Sequence, residues 1–189
     1  GYPFMLDLEV EYRLGDDGLL VTTTATNVGP DALPFGLGFH PYLTAGAELI
    51  DTCVLELPTT AALSLDDRGL PTGEARPTAG TQLDFSEGLP VGPARLDVAL
   101  TGLRRDREGR AHAQVTDPAT GRGIELWVDE RFSYLMCFTG DTLSDPARRR
   151  RSIALEPMTC PPDALRSGED LVTLDPGQRW QGAFGIRPV

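Results

Sequence analysis

Lysine is absent from the 189-residue chain, whose cationic side chains are all arginine, and histidine occurs only twice, at His40 and His112. The 17 arginines are outnumbered by 28 aspartates and glutamates, which leaves a formal charge of −11. So acidic a chain argues against a nucleic-acid partner, because neutralising phosphates takes a cationic face. No apolar run approaches the roughly 18 residues of a membrane-spanning helix, and no basic-then-apolar leader opens the chain. Cysteine is scarce as well. Cys53, Cys137 and Cys160 form no CxxC pair, and an odd number cannot all pair within one chain. That usage points to a reducing, cytoplasmic setting and to thiols acting as small buried apolar groups. There is no glycine-rich phosphate loop, no GxSxG and no histidine cluster at metal-binding spacing, so neither a metal nor another cofactor is expected. These absences leave a soluble globular protein with no nucleic-acid or membrane partner.

What the chain does contain is glycine, 21 residues, and proline, 16 residues, with an apolar fraction of 40%. Its length suits a single domain, residues 1–189, large enough to bury a core. Leu6, Leu8, Val10, Tyr12 and Leu14 alternate with Asp7, Glu9, Glu11 and Arg13, the period of a half-buried strand. The turn Gly15-Asp16-Asp17-Gly18 follows, and a Val/Thr-rich strand over 19–27 completes a hairpin. Further strands are expected over 52–57, 111–116, 123–128, 132–138, 153–155 and 180–186. Glycine- and proline-rich connections are expected over 65–77 and 87–93. No stretch keeps a helical period over three turns. Short strands broken by turn signals predict an all-β, antiparallel sandwich or barrel. A chain that starts inside a strand is also expected to have lost what preceded it.

Two short motifs carry chemistry. His40 lies in Gly36-Leu37-Gly38-Phe39-His40-Pro41-Tyr42-Leu43, among glycines that permit close approach and aromatics that can stack on a sugar-like ring. Two readings fit: a satisfied core histidine, or an imidazole held near neutrality by desolvation and poised for proton transfer. Glu156 ends the apolar segment Ala154-Leu155 and precedes the proline-stiffened Pro157 to Pro162. It is either a strand-end carboxylate bonded to the backbone or a general base whose pKa is raised by burial. His112, after an arginine-rich loop, reads as a solvated histidine. Arg148-Arg149-Arg150-Arg151 reads as a solvated loop, with contact to an anion as the lesser alternative.

Residues 38–43 and 156–165 resemble motifs of the aldose 1-epimerase (galactose mutarotase) family. Leu96 to Leu100 is similar to that family's segment with a sugar-binding aspartate. Leu135 to Asp141 is similar to its Tyr/Phe-Thr-Gly strand. Four motifs in the family's order cover most of the chain. The resemblance implies a galactose mutarotase-like supersandwich with a sugar cleft on one face, incomplete at its N-terminus. It implies Glu156 as the base on the anomeric hydroxyl and His40 as the acid on the ring oxygen. Asp97, Tyr42 and Phe138 are implied to contact the sugar, and no cofactor is implied.

The family also carries an N-terminal region with an arginine and a further histidine that touch the sugar, and nothing in 1–189 matches it. Three functions therefore stand open. The first is an aldose 1-epimerase acting on a free aldohexose of the galactose or glucose type. The second is a carbohydrate-binding sandwich without turnover. The third is a mutarotase for a phosphorylated or sulfonated sugar, for which Arg148 to Arg151 would be the cationic groups. The isolated chain is expected to pair with a second copy or with the missing segment, and to have weak or no activity of its own.

Overall fold

The computed structural model describes residues 1–189. Its strands are β1 (Leu6–Gly15), β2 (Gly18–Asn27), β3 (Leu33–Phe35), β4 (Tyr42–Leu43), β5 (Val54–Glu56), β6 (Ala61–Leu65), β7 (Pro71–Pro77) and β8 (Leu89–Pro90). They continue with β9 (Asp97–Thr101), β10 (Ala111–Asp117), β11 (Arg122–Val128), β12 (Tyr134–Phe138), β13 (Ile153–Met158), β14 (Val172–Leu174) and β15 (Arg179–Pro188). The one α-helix, α1 (Ala164–Ser167), is a single turn. No helix is long and apolar enough to cross a membrane.

A seven-stranded sheet runs β1-β2-β15-β11-β10-β5-β8, and a six-stranded sheet runs β4-β13-β12-β9-β6-β7. Every pairing is antiparallel. Strand β10 shows why these sequences become sheet: its apolar residues Ala111, Ala113 and Val115 are buried, while His112, Gln114 and Thr116 stay partly exposed. The seven-stranded sheet contributes Val21, Leu55, Val115, Leu126 and Phe184 to the core. The six-stranded sheet contributes Leu100, Leu135, Cys137, Ile153 and Leu155, and all ten belong to one cluster of 28 buried residues. This is the antiparallel sandwich that the strand pattern predicts.

Several local expectations change. The connection expected over 65–77 contains β7, paired with β6 across a tight turn at Asp66 to Leu70 whose amides bond to the Asp66 side chain. Strand β13 runs on through Glu156 and Pro157 to Met158, so Glu156 lies within the strand and not at its end. His112 is not a solvated histidine. Its Nδ1 lies 3.1 Å from Glu125 and its Nε2 2.9 Å from Asp106. The bond from His112, with two backbone amides, holds the Asp106 carboxyl down at about 2. Cys53 and Cys137 are buried and Cys160 is partly so, all three as free thiols.

Strand β1 forms as expected, but its apolar face is only partly covered. Leu6 and Val10 pack against the core, while Tyr12 and Leu14 are 64% and 80% exposed. The reason is position: β1 is an outer strand paired with β2 alone, and its far half overhangs the core. A long outer strand with unpaired N–H and C=O groups and apolar side chains templates association with another chain. We therefore expect residues 1–189, isolated, to run above the 20.4 kDa of one chain in light scattering. Tyr12→Lys combined with Leu14→Lys should restore the monomer. A wild-type chain that stays monomeric as its concentration rises would show the overhang to be harmless.

Candidate active site

The outer face of the six-stranded sheet gathers the residues singled out in the sequence. The segment before β4 runs antiparallel to β13, tied by Phe39 N–H to the Pro157 carbonyl at 3.1 Å and Leu155 N–H to the Pro41 carbonyl at 3.3 Å. Gly38 bridges Met158 and Tyr42 opposes Ala154, so His40 falls opposite Glu156. Side chains alternate along this segment. Phe39 points inward, its ring centroid 4.8 Å from that of Phe184, and Leu43 is buried in the core. His40 and Tyr42 are left on the other face, stacked with ring centroids 5.0 Å apart. Close approach is found at Gly36, where a Cβ would sit 2.6 Å from the Cys160 sulfur, while at Gly38 it would meet nothing nearer than 3.4 Å.

Register places the remaining candidates. Ala154 opposes Phe138, and Phe138 opposes Asp97, so Tyr42, Ala154, Phe138 and Asp97 form one row across four strands. The next row contains Glu156, Met136 and Ala99. Ala154 is small and fully buried between the larger side chains of its row. Beyond Glu156 the surface becomes apolar, with Leu63, Ala99 and Tyr134 buried and Met136 and Met158 against them.

His40 Nε2 lies 3.0 Å from Glu156 Oε1, and the two side chains are 54% and 14% exposed. The desolvation expected around His40 is therefore not found; its ring is open to solvent beside Tyr42. Glu156 is the buried member. Burial lifts its carboxyl above the usual glutamate range, the nearby charge of Asp97 adds to the rise, and the charge of His40 opposes it. The arrangement places two titratable groups in direct contact, with Tyr42 stacked on His40 and Phe138 in the adjacent row.

Arg148 to Arg151 do not behave as one solvated group. Arg148 is exposed, as expected, and lines a cavity of about 320 Å³ with Tyr42 and Ser152. Arg149 and Arg151 are exposed, and each folds back on a loop carbonyl, of Leu143 and Ala147 respectively. Arg150 is largely buried and bonded to Asp51 and Asp141, a network to which residue types alone gave no clue. No group of three or more His, Cys, Asp or Glu side chains is arranged to hold a metal ion. In the His112 cluster the two carboxylates sit on opposite ring nitrogens and cannot converge on one cation.

The family model for aldose 1-epimerase matches residues 1–187. The uncharacterized protein YihR of Escherichia coli K12 is 29% identical over 187 residues, covering 98% of this chain and 57% of that protein. Galactose mutarotase of Homo sapiens is 27% identical over 139 residues, covering 69% of this chain and 40% of that protein. A galactose mutarotase-like protein from Clostridium acetobutylicum superposes with a TM-score of 0.84 at 20% identity, over 100% of this chain and 57% of that one. Galactose 1-epimerase from Lactobacillus acidophilus superposes with a TM-score of 0.78 at 22% identity, over 100% and 58%. The chain thus spans little more than half the length of these relatives, or less.

Proposed function

This chain belongs to the aldose 1-epimerase family, and on that premise we propose that it interconverts the α and β anomers of a free aldohexose of the galactose or glucose type. The single observation that carries the reading is the 3.0 Å contact between His40 Nε2 and Glu156 Oε1. In a cyclic aldose the anomeric hydroxyl and the ring oxygen are both bonded to C1, so they are neighbours too. An acid and a base already in contact match that pair of atoms.

Glu156, as carboxylate, takes the proton of the anomeric hydroxyl while the C1–O bond of the ring breaks. The electron pair stays on the ring oxygen, which takes a proton from the His40 imidazolium, and C1 becomes the aldehyde carbon. Rotation about C1–C2 presents the other face of the carbonyl. Closure then returns one proton to His40 and the other from Glu156, so the pair ends as it began. Tyr42 and Phe138 would flank the ring, and Asp97 would accept hydrogen bonds from its hydroxyls. General acid and base terms contribute roughly 10²–10⁴ each.

Polarimetry of freshly dissolved α-galactose and α-glucose with the intact protein tests the reading. Galactose comes first because the human relative bears its name. The expected result is relaxation faster than in buffer. Sugar binding without acceleration would replace this reading with that of a binding module. Asp97→Asn should raise KM about tenfold while kcat changes little, because this residue orients the sugar and transfers no proton. The same substitution removes a charge that lifts Glu156. The acidic limb of the pH–rate profile should therefore move to lower pH, and an unmoved limb would show the two carboxylates to be uncoupled.

A further inference from the structure

Arg150 takes no part in the proton transfers, yet it is among the most thoroughly bonded side chains of the molecule. Its side chain is 15% exposed, and its backbone holds the left-handed conformation at φ 57°, which residues other than glycine rarely adopt. From there Nη1 donates to the Ala94 carbonyl at 2.9 Å and to the two oxygens of Asp141 at 3.1 and 3.2 Å. Nη2 donates to the Gly92 carbonyl at 2.6 Å, and Nε to Asp51 at 3.1 Å.

Both arms of this network end on the same short segment. One arm grips residues 92 and 94 directly. The other passes through Asp141, which accepts the hydroxyl hydrogen bond of Thr139. Thr139 Oγ1 in turn accepts the Leu96 N–H at 2.9 Å, and the Thr139 N–H donates to the Leu96 carbonyl at 3.0 Å. The next residue is Asp97, exposed at the start of β9 and opposed by Phe138. Arg150, Asp141, Asp97 and Phe138 line one cavity of about 350 Å³.

We propose that Arg150 is a positioning residue for the sugar site: it fixes the segment from which Asp97 reaches the substrate, and so sets affinity more than turnover. Without it, Leu96 keeps its bonds to Thr139 and the strand pairing of β9 still starts at Asp97, but the Gly92 and Ala94 carbonyls lose their charged donor. The planar guanidinium explains the residue type, since its three nitrogens reach two carbonyls and two carboxylates from one group. The inference rests on the mutarotase reading and adds to it a residue that is not expected to touch the reacting atoms.

The test is a double-mutant cycle on the intact protein, read by polarimetry as KM and kcat separately, with thermal melting alongside. Arg150→Met should raise KM about tenfold and leave kcat within about threefold, and Arg150→Lys should recover part of the loss. In the Asp97→Asn background, Arg150→Met should add little further KM effect, because its influence is exerted through Asp97. A merely structural arginine gives a different pattern. The KM effects of the two substitutions multiply, Arg150→Lys recovers none of the loss, and the inference is overturned while the mutarotase reading survives. A lower melting temperature is expected in either case, because a largely buried and paired cation is lost. An Arg150→Met variant that does not fold leaves Arg150→Lys and Asp141→Asn to run the same cycle, with the same criterion. A wild-type protein that accelerates neither sugar overturns the reading and the inference together.

Discussion

Glu156→Gln is expected to lower the mutarotation rate of the intact protein by at least ~10²-fold with its fold unchanged. Glutamine keeps the size of glutamate, so the partly buried site beside His40 is not repacked. What it loses is the ability to accept the anomeric proton. The pH dependence gives the same residue a second signature. A base must be ionised to act, so the rate falls as pH drops through the Glu156 pKa. Burial lifts that pKa, which places the acidic limb above that of an ordinary glutamate. Circular dichroism with a polarimetric pH–rate series would check both points. Near-normal turnover in a folded Glu156→Gln protein would assign the base elsewhere.

His40→Asn should cost a similar ~10²-fold, for the complementary reason that the ring oxygen loses its proton donor. The imidazole is half-exposed and held by its stack on Tyr42 and its contact with Glu156, so its removal should leave the melting temperature nearly unchanged. Two further outcomes follow from the pairing. The His40 charge opposes the rise of the Glu156 pKa, so in His40→Asn the acidic limb of the residual activity should move to higher pH. The double variant should be little worse than either single one, because an acid and a base that work in one step fail as a unit. Losses that multiply would show the two residues to act in separate steps, and a limb that moves down would reverse the sign of their coupling.

Strand positions were legible where one face of a strand is buried and its period of two reaches the sequence, as in residues 111–116. They were legible also in short apolar runs buried on both faces, as in residues 153–155. Strand β7 was not, since its residues are almost all exposed and its glycine and proline content mimics a connection. In β1 the alternation was real while the burial it predicted stops partway, because cover comes from neighbours that no local pattern encodes. The end of β13 was misplaced because Pro157 reads as a stop, yet its carbonyl still accepts a bond from Phe39.

The sequence alone determined that this protein is all-β, that its thiols are not a disulfide framework, and that His40 and Glu156 were worth watching. Tyr42, Asp97 and Phe138 came from the resemblance to a known family. Local chemistry suffices for the first set, since alternation, turn residues and rare side chains in distinctive company are all properties of neighbouring positions. Only the tertiary structure decided that those five share one face, because their two adjacent rows depend on register between strands far apart in the chain. It also decided which of His40 and Glu156 is the more buried. The local motif suggested desolvation of His40, whereas the sheet shields Glu156 and leaves the imidazole open. The bonding of Arg150 to residues 92, 94 and 141, and of His112 to two carboxylates, is likewise an outcome of packing. A charged side chain reads as solvated until the fold brings its partners to it.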